Sequence, residues 1–551
     1  MAEPVAPEPA SVAGDVLDGT IAELASLAGG GGMRVKGYGL VVGLGEKGSS
    51  EVPSAIRSAL IADMMRRGVD KSVPGAAEFD LAGLIEDKDT AVVVVSAWIP
   101  PGTPPGTPLD ATVAALPGTQ TLSLDGGILY ETELKTFQSG ETGVRESYRV
   151  EARAKGAVFV NPFIDRDKGD TTARLRTGQI IGGATTVGTR TIRLVLDHPD
   201  YRKAKTIRDV INERFAGASK VANAKSPSLI ELGVPRRYRR DYGHFLELVT
   251  HLYLRRAPQA DQMKARRLAE QILAPGAPHE EIALIWEAMG KHVVDSFRRL
   301  YTSENAVAAY YAARAGVRLG DTTALAVLRR TATDSASALR LAAVAELGRS
   351  NHGGATALLT ELLDDGDALI RIAAYEALCR PQPRGPVERH DVGGRFIVDA
   401  VRTQGKCLIY ATRSGEPKLV LFGTEIPVLR PIMFSSSDGD VTVHAHSDDE
   451  RLKVYRRVGP QRLLSDELEI LPDAKSLALA MGRTPVPGPE GGFQGLGMTY
   501  SQVVGALYRL CRKAPAQWIP AEFMLQRTQA AVTMTPGTAI EGRPDSSGVS
   551  R

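Results

Sequence analysis

One pattern limits the fold of this chain more than any other: a unit that recurs every 31 residues. The stretches starting at Ala309, Arg340 and Arg371 share a pattern of alanines closed by an arginine at 318, 349 and 380, and Asp334 and Asp365 keep the same 31-residue offset. A unit of this length cannot bury an apolar face alone, so stacked helix pairs are the arrangement that gives it a core. Ala324 to Arg329 and Ala355 to Thr360 supply the second helices, and alanines at matching positions let paired helices approach closely. The pattern predicts an α-solenoid of helix-turn-helix pairs, with weaker copies back to about Gln262; the alternative is a nonrepetitive helical bundle. Solenoids present extended faces, so this stretch is a candidate docking arm for an unknown protein partner.

The solenoid accounts for part of the chain only. With 551 residues it exceeds what one core serves, and about 150 residues per domain predicts three or four units. No run approaches the ~18 apolar residues of a membrane span. A net charge of +3 gives no global electrostatic case for nucleic acid. Pro235 to Arg240, with Arg255, Arg256, Arg266 and Arg267, is a local basic stretch that could face an acidic partner, phosphate or a polyanionic polymer; a solvated face is the plainer reading.

Cys379, Cys407 and Cys511 are widely spaced, which suits neither a zinc site nor a disulfide scaffold, and Cys379 reads as a core residue of the repeats. His444 and His446 alternate along an expected strand, with Asp448 and Asp449 behind; a solvated edge explains them more simply than a metal site. Residues 1–20 are rich in Ala, Pro and Glu, and residues 533–551 in Gly, Ser, Thr and Pro, so both read as disordered tails. The first residues have neither a basic n-region nor an apolar h-region, so no secretory signal is readable.

Between residues 33 and 135, glycines frame apolar runs. Gly39 to Leu44 predicts a buried strand, Ser54 to Arg67 a helix opened by Pro53 and ended by Gly68, and Val92 to Val95 a second strand. Asp125, Gly126 and Gly127 predict a hairpin turn between Thr121–Leu124 and Ile128–Leu134. Together these build an α/β or α+β layer. Gly43, Gly45 and Gly48 also fit the glycine fingerprint of dinucleotide sites. That fingerprint needs its helix to open at the third glycine, but Ser49 to Pro53 intervenes, and Asp70 to Pro74 makes a poor second strand. No cofactor, metal ligand or catalytic residue is assigned. Past Pro386, short runs at Arg395–Val401, Cys407–Ala411, Lys418–Phe422, Val428–Phe434 and Asp440–His446 predict a β-rich module, closed by helices at Thr499–Tyr508 and Ala514–Gln526.

Taken in order, Gly37, Tyr38, Gly39, Gly43 and Gly45, then Pro100, Pro101, Gly106 and Asp110, then Gly126 and Gly127 resemble the bacterial flagellar P-ring protein family. The resemblance runs on through Gly178 to Val187, Thr191 to Leu196, a helix with Ile207, Val210, Ile211 and Asn212 on one face, Ser228 to Pro235 and Phe245 to Val249. It returns in the closing helices near 495–527 and is weak over 386–494. It implies a nonenzymatic subunit that self-associates into a ring around the flagellar rod, in the periplasm, and serves motility. The implied partners are the rod, the L ring and, as an option, peptidoglycan. Some family members carry a cysteine pair in their C-terminal half, but Cys407 and Cys511 do not fall on recognisable family positions; a disulfide between them is an option that a mass shift on reduction would test.

The expected fold class is therefore α+β multidomain. A tail at 1–20 precedes P-ring-like α/β regions at 21–160 and 161–258. HEAT-like repeats at 259–385 interrupt the family pattern, followed by a β-rich module at 386–494, a helical pair at 495–532 and a tail at 533–551. The competing functions are a repurposed envelope scaffold of the same fold and a dinucleotide-dependent oxidoreductase.

Overall fold

Alternation along the early strands decides where they go. In the structure, a computed structural model, β1 (Ala25–Ala28) belongs to a later sheet, while β2 (Met33–Val42) turns Val35, Gly37, Gly39 and Val41 inward and exposes Arg34 and Tyr38. α1 (Ser54–Arg66) and α2 (Leu81–Ile85) follow, and Leu60, Met64 and Ile85 pack them on Leu40 and Val92. With β2, the strands β3 (Ala91–Ile99), β4 (Pro108–Ala115), β5 (Ile128–Gly140), β6 (Gly143–Ala157) and, after α3 (Thr171–Leu175), β7 (Thr177–Thr186) close a barrel in the order β2-β3-β4-β7-β6-β5. Residues 16–526 are described apart from 30, 67–80, 141–142, 163–170, 189, 218–219, 240, 255–256, 351, 381–384, 437–439, 459–462, 488–492 and 513–516. Residues 1–15 of the tail expected at 1–20, all of the tail expected at 533–551, Gly68, the segment Asp70 to Pro74, and Arg240, Arg255 and Arg256 thus lie outside the described residues. Val16 and Thr20, by contrast, are buried, with Thr20 bridged to Tyr253, so the first expected tail does not extend to residue 20.

The expected α/β or α+β layer closes on itself, and closure depends on glycine. A Cβ on Gly37 would lie 2.1 Å from the Glu133 carbonyl oxygen, and one on Gly39 would lie 2.4 Å from Thr132 Oγ1. β2 and β5 can meet only because both side chains are absent, and the register shifts between Lys36 and Val41 where they do. β7 comes from beyond residue 160, so the divide expected there falls inside the barrel. The hairpin expected at 125–127 does not form. Thr121 to Leu124 is irregular chain, because Leu124 is buried at the barrel end with its amide bonded to the Leu175 carbonyl at 2.9 Å. β5 pairs instead with β2 and β6.

β8 (Ile192–Leu196), β9 (Ala222–Ala224) and β10 (Leu229–Leu232) complete the sheet β1-β8-β10-β9. α4 (Tyr201–Phe215) starts where the Asp200 carboxylate accepts the Arg202 and Lys203 amides at 2.7 and 3.1 Å, and it buries Ile207, Val210, Ile211 and Phe215 on the sheet. Asn212 ties it to β9, accepting the Val221 and Ala222 amides and donating to the Ala222 carbonyl at 2.9 Å. α5 (Tyr242–Thr250) packs Phe245 and Leu248 into the same core.

The repeat is written in hydrogen bonds as well as in helices. α6 (Pro258–Gln271), α7 (His279–Met289), α8 (Val294–Phe297), α9 (Ala306–Arg318), α10 (Leu325–Thr333), α11 (Arg340–Leu347), α12 (Gly353–Glu361) and α13 (Ala368–Leu378) form one continuous core. At 31-residue intervals, Ser303 Oγ, Asp334 Oδ1 and Asp365 Oδ1 each accept the amide two residues on, at 3.2, 3.0 and 2.8 Å. Arg340 and Arg371 likewise each donate Nε to the carbonyl eight residues back, Ala332 at 2.8 Å and Leu363 at 2.9 Å.

In the last module, β11 (Val387–Asp391), β12 (Ile397–Val401), β13 (Leu408–Ala411) and β14 (Lys418–Phe422) share a sheet with the last of the described strands. β15 (Ile432–Ser435), β16 (Val441–Ala445), β17 (Leu452–Val458), β18 (Leu463–Leu464) and β19 (Leu468–Ile470) form a second sheet. After α14 (Ala474–Gly482), the short pair β20 (Val486–Pro487) and β21 (Phe493–Gln494), and α15 (Tyr500–Cys511), the chain ends its described part in β22 (Glu522–Leu525) beside β13. That strand stands where a second closing helix was expected. Pro520 breaks the helical path, and Phe523 and Leu525 pack on one side of the sheet while Met524 packs on the other, a period of two. The sheet is covered on both faces. Val401, Tyr410, Val420 and Phe422 meet the helical repeats, and Val398, Ile409, Leu419 and Leu421 meet α14 and α15.

Candidate functional site

The residues that carry the family pattern spread along the barrel and do not converge on one pocket. At one end, Gly43 (φ +77°) and Gly45 (φ +64°) curl the chain so that their amides point at one carboxylate. Asp89 fills this position, accepting from Gly43 at 3.2 Å and Gly45 at 2.6 Å. The donors a dinucleotide phosphate would need are therefore satisfied from within, and α1 opens only at Ser54, beyond the third glycine. Gly127 sits at the same end, where a Cβ would meet Val41 at 2.4 Å, and Gly126 turns at φ +85°. At the other end, the Pro100 carbonyl accepts the Thr103 hydroxyl at 2.6 Å, Pro101 is buried, and Gly106 (φ +78°) donates its amide to Thr186 at 2.8 Å. Tyr38 is the exception among them, an aromatic ring held outward at 43 % exposure on the barrel wall.

Asp110 and the 125–127 turn join the barrel to the last module. The Asp110 carboxylate accepts the Gly182 amide at 2.7 Å and the Gly415 amide at 3.0 Å, so one side chain of the barrel also bonds a residue 305 positions further along the chain. Burial pushes its pKa up, against the pull of those two amides. Ser501, at the start of α15, donates to Asp125 at 2.9 Å, and its hydroxyl also takes the Val160 amide at 3.3 Å. Phe159 and Tyr500 pack ring to ring at 5.5 Å, and a Cβ on Gly182 would strike the Gly415 carbonyl at 2.3 Å. Thr499 and Gln502 cap α15 reciprocally, which fixes Ser501 at the joint.

A buried ion cluster joins the repeats to the preceding α/β region, and sequence reasoning missed it. Arg318 of α9 holds Glu346 of α11 at 2.6 and 2.8 Å and Glu287 of α7 at 3.2 Å; His244 of α5 meets Glu287 at 2.7 Å. All four side chains are under a tenth exposed. Burial opposes a charge on His244, but its hydrogen bonds to Glu247 and Glu287 outweigh that and raise its pKa, while the Arg318 charge pulls the other way. Burial likewise opposes ionisation of Glu287, yet bonding to His244 and the Arg318 charge hold its pKa below the ordinary value. The available signal was the repeat itself, since Arg318 and Arg349 occupy the same place in successive units and both reach Glu346. A second cluster joins the repeats to the last module: Arg389 grips the fully buried Asp399 through two bonds at 2.8 and 2.9 Å, and the Tyr375 hydroxyl donates to the same carboxylate.

The remaining candidates are separate. All three cysteines are free thiols, so the Cys407 to Cys511 disulfide does not form; both instead line an open cleft of about 690 Å³ with Lys406, Tyr508, Arg512 and Phe523. Burial raises the Cys511 pKa to about 12, which leaves it a weak nucleophile. His444 lies on β16 within 3.7 Å of Glu467, while the His446 amide bonds Asp449; no group of three metal-ligating side chains occurs among the described residues. Arg237 stacks over Tyr238 at 5.0 Å, so part of the basic stretch packs locally.

Residues 20–264 match the family model of the flagellar P-ring protein, and residues 294–379 match that of HEAT repeats. A flagellar P-ring protein of Anaeromyxobacter dehalogenans is 28 % identical over 276 residues, 48 % of this chain and 68 % of its own length. One from Rhizobium etli strain CIAT 652 is 32 % identical over 40 % of this chain and 57 % of its own, and one from Thermotoga maritima 31 % over 39 % and 61 %. The chain thus spans between about half and two thirds of the curated relatives it matches.

Proposed function

We propose that this chain, which carries a flagellar P-ring region joined to HEAT repeats, is a structural subunit of a ring around the flagellar rod in the cell envelope. The match over residues 20–264 carries the reading. The family-pattern residues support it, because their work here is geometric: Gly37 and Gly39 let the barrel close, Gly43 and Gly45 wrap an internal carboxylate, and Asp110 binds the barrel to the last module. A collar needs such rigidity and no chemistry. Each subunit would join the next through a heterologous contact whose rotation closes, and the rod, the L ring and peptidoglycan would be its neighbours. Motility and a periplasmic site follow from the same reading. The repeats would form an arm that reaches a further protein.

Negative-stain microscopy of the purified full chain tests this: closed rings are expected, and a well-folded monomer at every concentration would refute it. A repurposed envelope scaffold is the second reading, favoured by the helical repeats; a gene lying apart from rod, hook and L-ring genes would support it. Dinucleotide chemistry is disfavoured by Asp89, and NAD binding abolished by Gly45→Val would restore it.

A further inference from the structure

We infer that the outer helices of the repeats dock onto the acidic end of the β-rich module of a second copy of this chain. The inference rests on the ring reading and supplies one of its contacts. The repeat places a pair of arginines on three successive outer segments: Arg266 and Arg267 on α6, Arg298 and Arg299 in the turn after α8, and Arg329 and Arg330 on α10. All six are exposed. The fourth outer helix, α12, carries Thr360 and Glu361 at that place, so the stripe stops before the last module.

Carboxylates beside the stripe offset part of its charge. Arg298 meets Asp321 at 3.0 Å and also Asp295, Arg329 meets Glu361 at 3.0 Å, and Arg299 meets Glu270 at 3.5 Å. Arg266 and Arg330 meet no carboxylate among the described residues, so positive charge stays uncompensated at both ends of the stripe. Exposed pairs of this kind hold their partners weakly, so an incoming surface can compete for the arginines.

The same chain carries the opposite face. Asp448, Asp449 and Glu450 lie in the turn between β16 and β17, and Glu467 and Glu469 lie at β19, which pairs with β17. Arg451 and Lys453 are the cations among them, and Lys453 already meets Glu467 at 3.0 Å. Five carboxylates against two cations make this end negative. Two unlike faces on one chain favour head-to-tail contact, the kind a closed ring requires, and like charge discourages either face from pairing with itself. A wall polymer or another polyanion could also meet the stripe, but only a second copy explains why the complementary face is present.

Charge reversal in the full chain tests the contact by sedimentation velocity. The double variant Arg266→Glu with Arg330→Glu breaks none of these ion pairs, and an unchanged thermal midpoint would show that it folds. Wild-type assembly is expected to weaken at least about tenfold in the variant and in about 0.5 M salt. Mixing this variant with Glu450→Lys, Glu469→Lys chains should restore association. Wild-type assembly that neither the reversal nor the mixture alters would overturn the inference and leave the ring reading standing, as would a stripe that binds polyphosphate without affecting assembly. A wild-type chain that stays monomeric would overturn the ring reading and this inference with it.

Discussion

The barrel and the helical repeats hold together by opposite means. In the barrel, β2 and β5 approach through positions about a hundred residues apart, and the contact is made by leaving side chains out at Gly37 and Gly39. In the repeats, the decisive contacts lie one unit away, and they are made by putting charged side chains in: Arg318 reaches Glu346 28 residues on, and Arg340 reaches Asp365 25 residues on. A barrel built on absence is sensitive to added atoms, and a solenoid built on buried ions is sensitive to removed ones.

The largest expected effect follows from the second half of that contrast. Arg318→Met would leave Glu287 and Glu346 buried beside each other without their shared cation, at a cost of about 3–5 kcal/mol, read as a lower urea midpoint for the helical part. If the cost falls below that of a barrel glycine, the contrast fails. Gly37→Ala tests the other half. Its Cβ would meet a backbone oxygen that cannot rotate away, so a loss of about 1–3 kcal/mol is expected, visible in the thermal melt, whereas alanine at the open position Gly366, outside the left-handed region, would add no such clash.

Thr499→Ala removes one half of a reciprocal cap and should cost about 1 kcal/mol, with faster hydrogen exchange in α15 and at the Ser501 joint as the readout. The smallest effect is on pH dependence. Because His244 has its pKa raised above 6.5 in the folded chain, its stabilising contribution is complete below that value and fades as pH rises through the raised one. Glu287, lowered from 4.5, contributes above that value, and its contribution is lost as pH falls through the lowered one. The melting temperature should therefore decline on both sides; His244→Gln should flatten the alkaline decline and, because His244 helps to lower the Glu287 pKa, lessen the acid one as well.

Legibility in the sequence follows the same divide. The repeats could be read because their information is local: a 31-residue offset, alanine-lined faces, and Asp334 and Asp365 keeping that offset, which in the structure make the same bond. The helix at Ser54 and the strands at Val92 and Lys418 were legible for the same reason. Barrel closure was not, since nothing near Gly37 names Glu133 as its neighbour. The joint at Asp110 was half legible: the resemblance marked the residue, but its partner Gly415 lies in a module where the resemblance is weak. Over Ala514 to Gln526, likeness to a helical pair outweighed Pro520 and the alternation of Phe523 and Leu525, which already pointed to a strand.

The most direct test of the central claim is electron microscopy of basal bodies isolated from cells that make this chain, with a tag on the exposed α10 face of the repeats. The account predicts a closed ring around the rod, decorated at regular intervals by the tag. Basal bodies with a complete ring that lacks the tag, in cells where the tagged chain is abundant and folded, would contradict it.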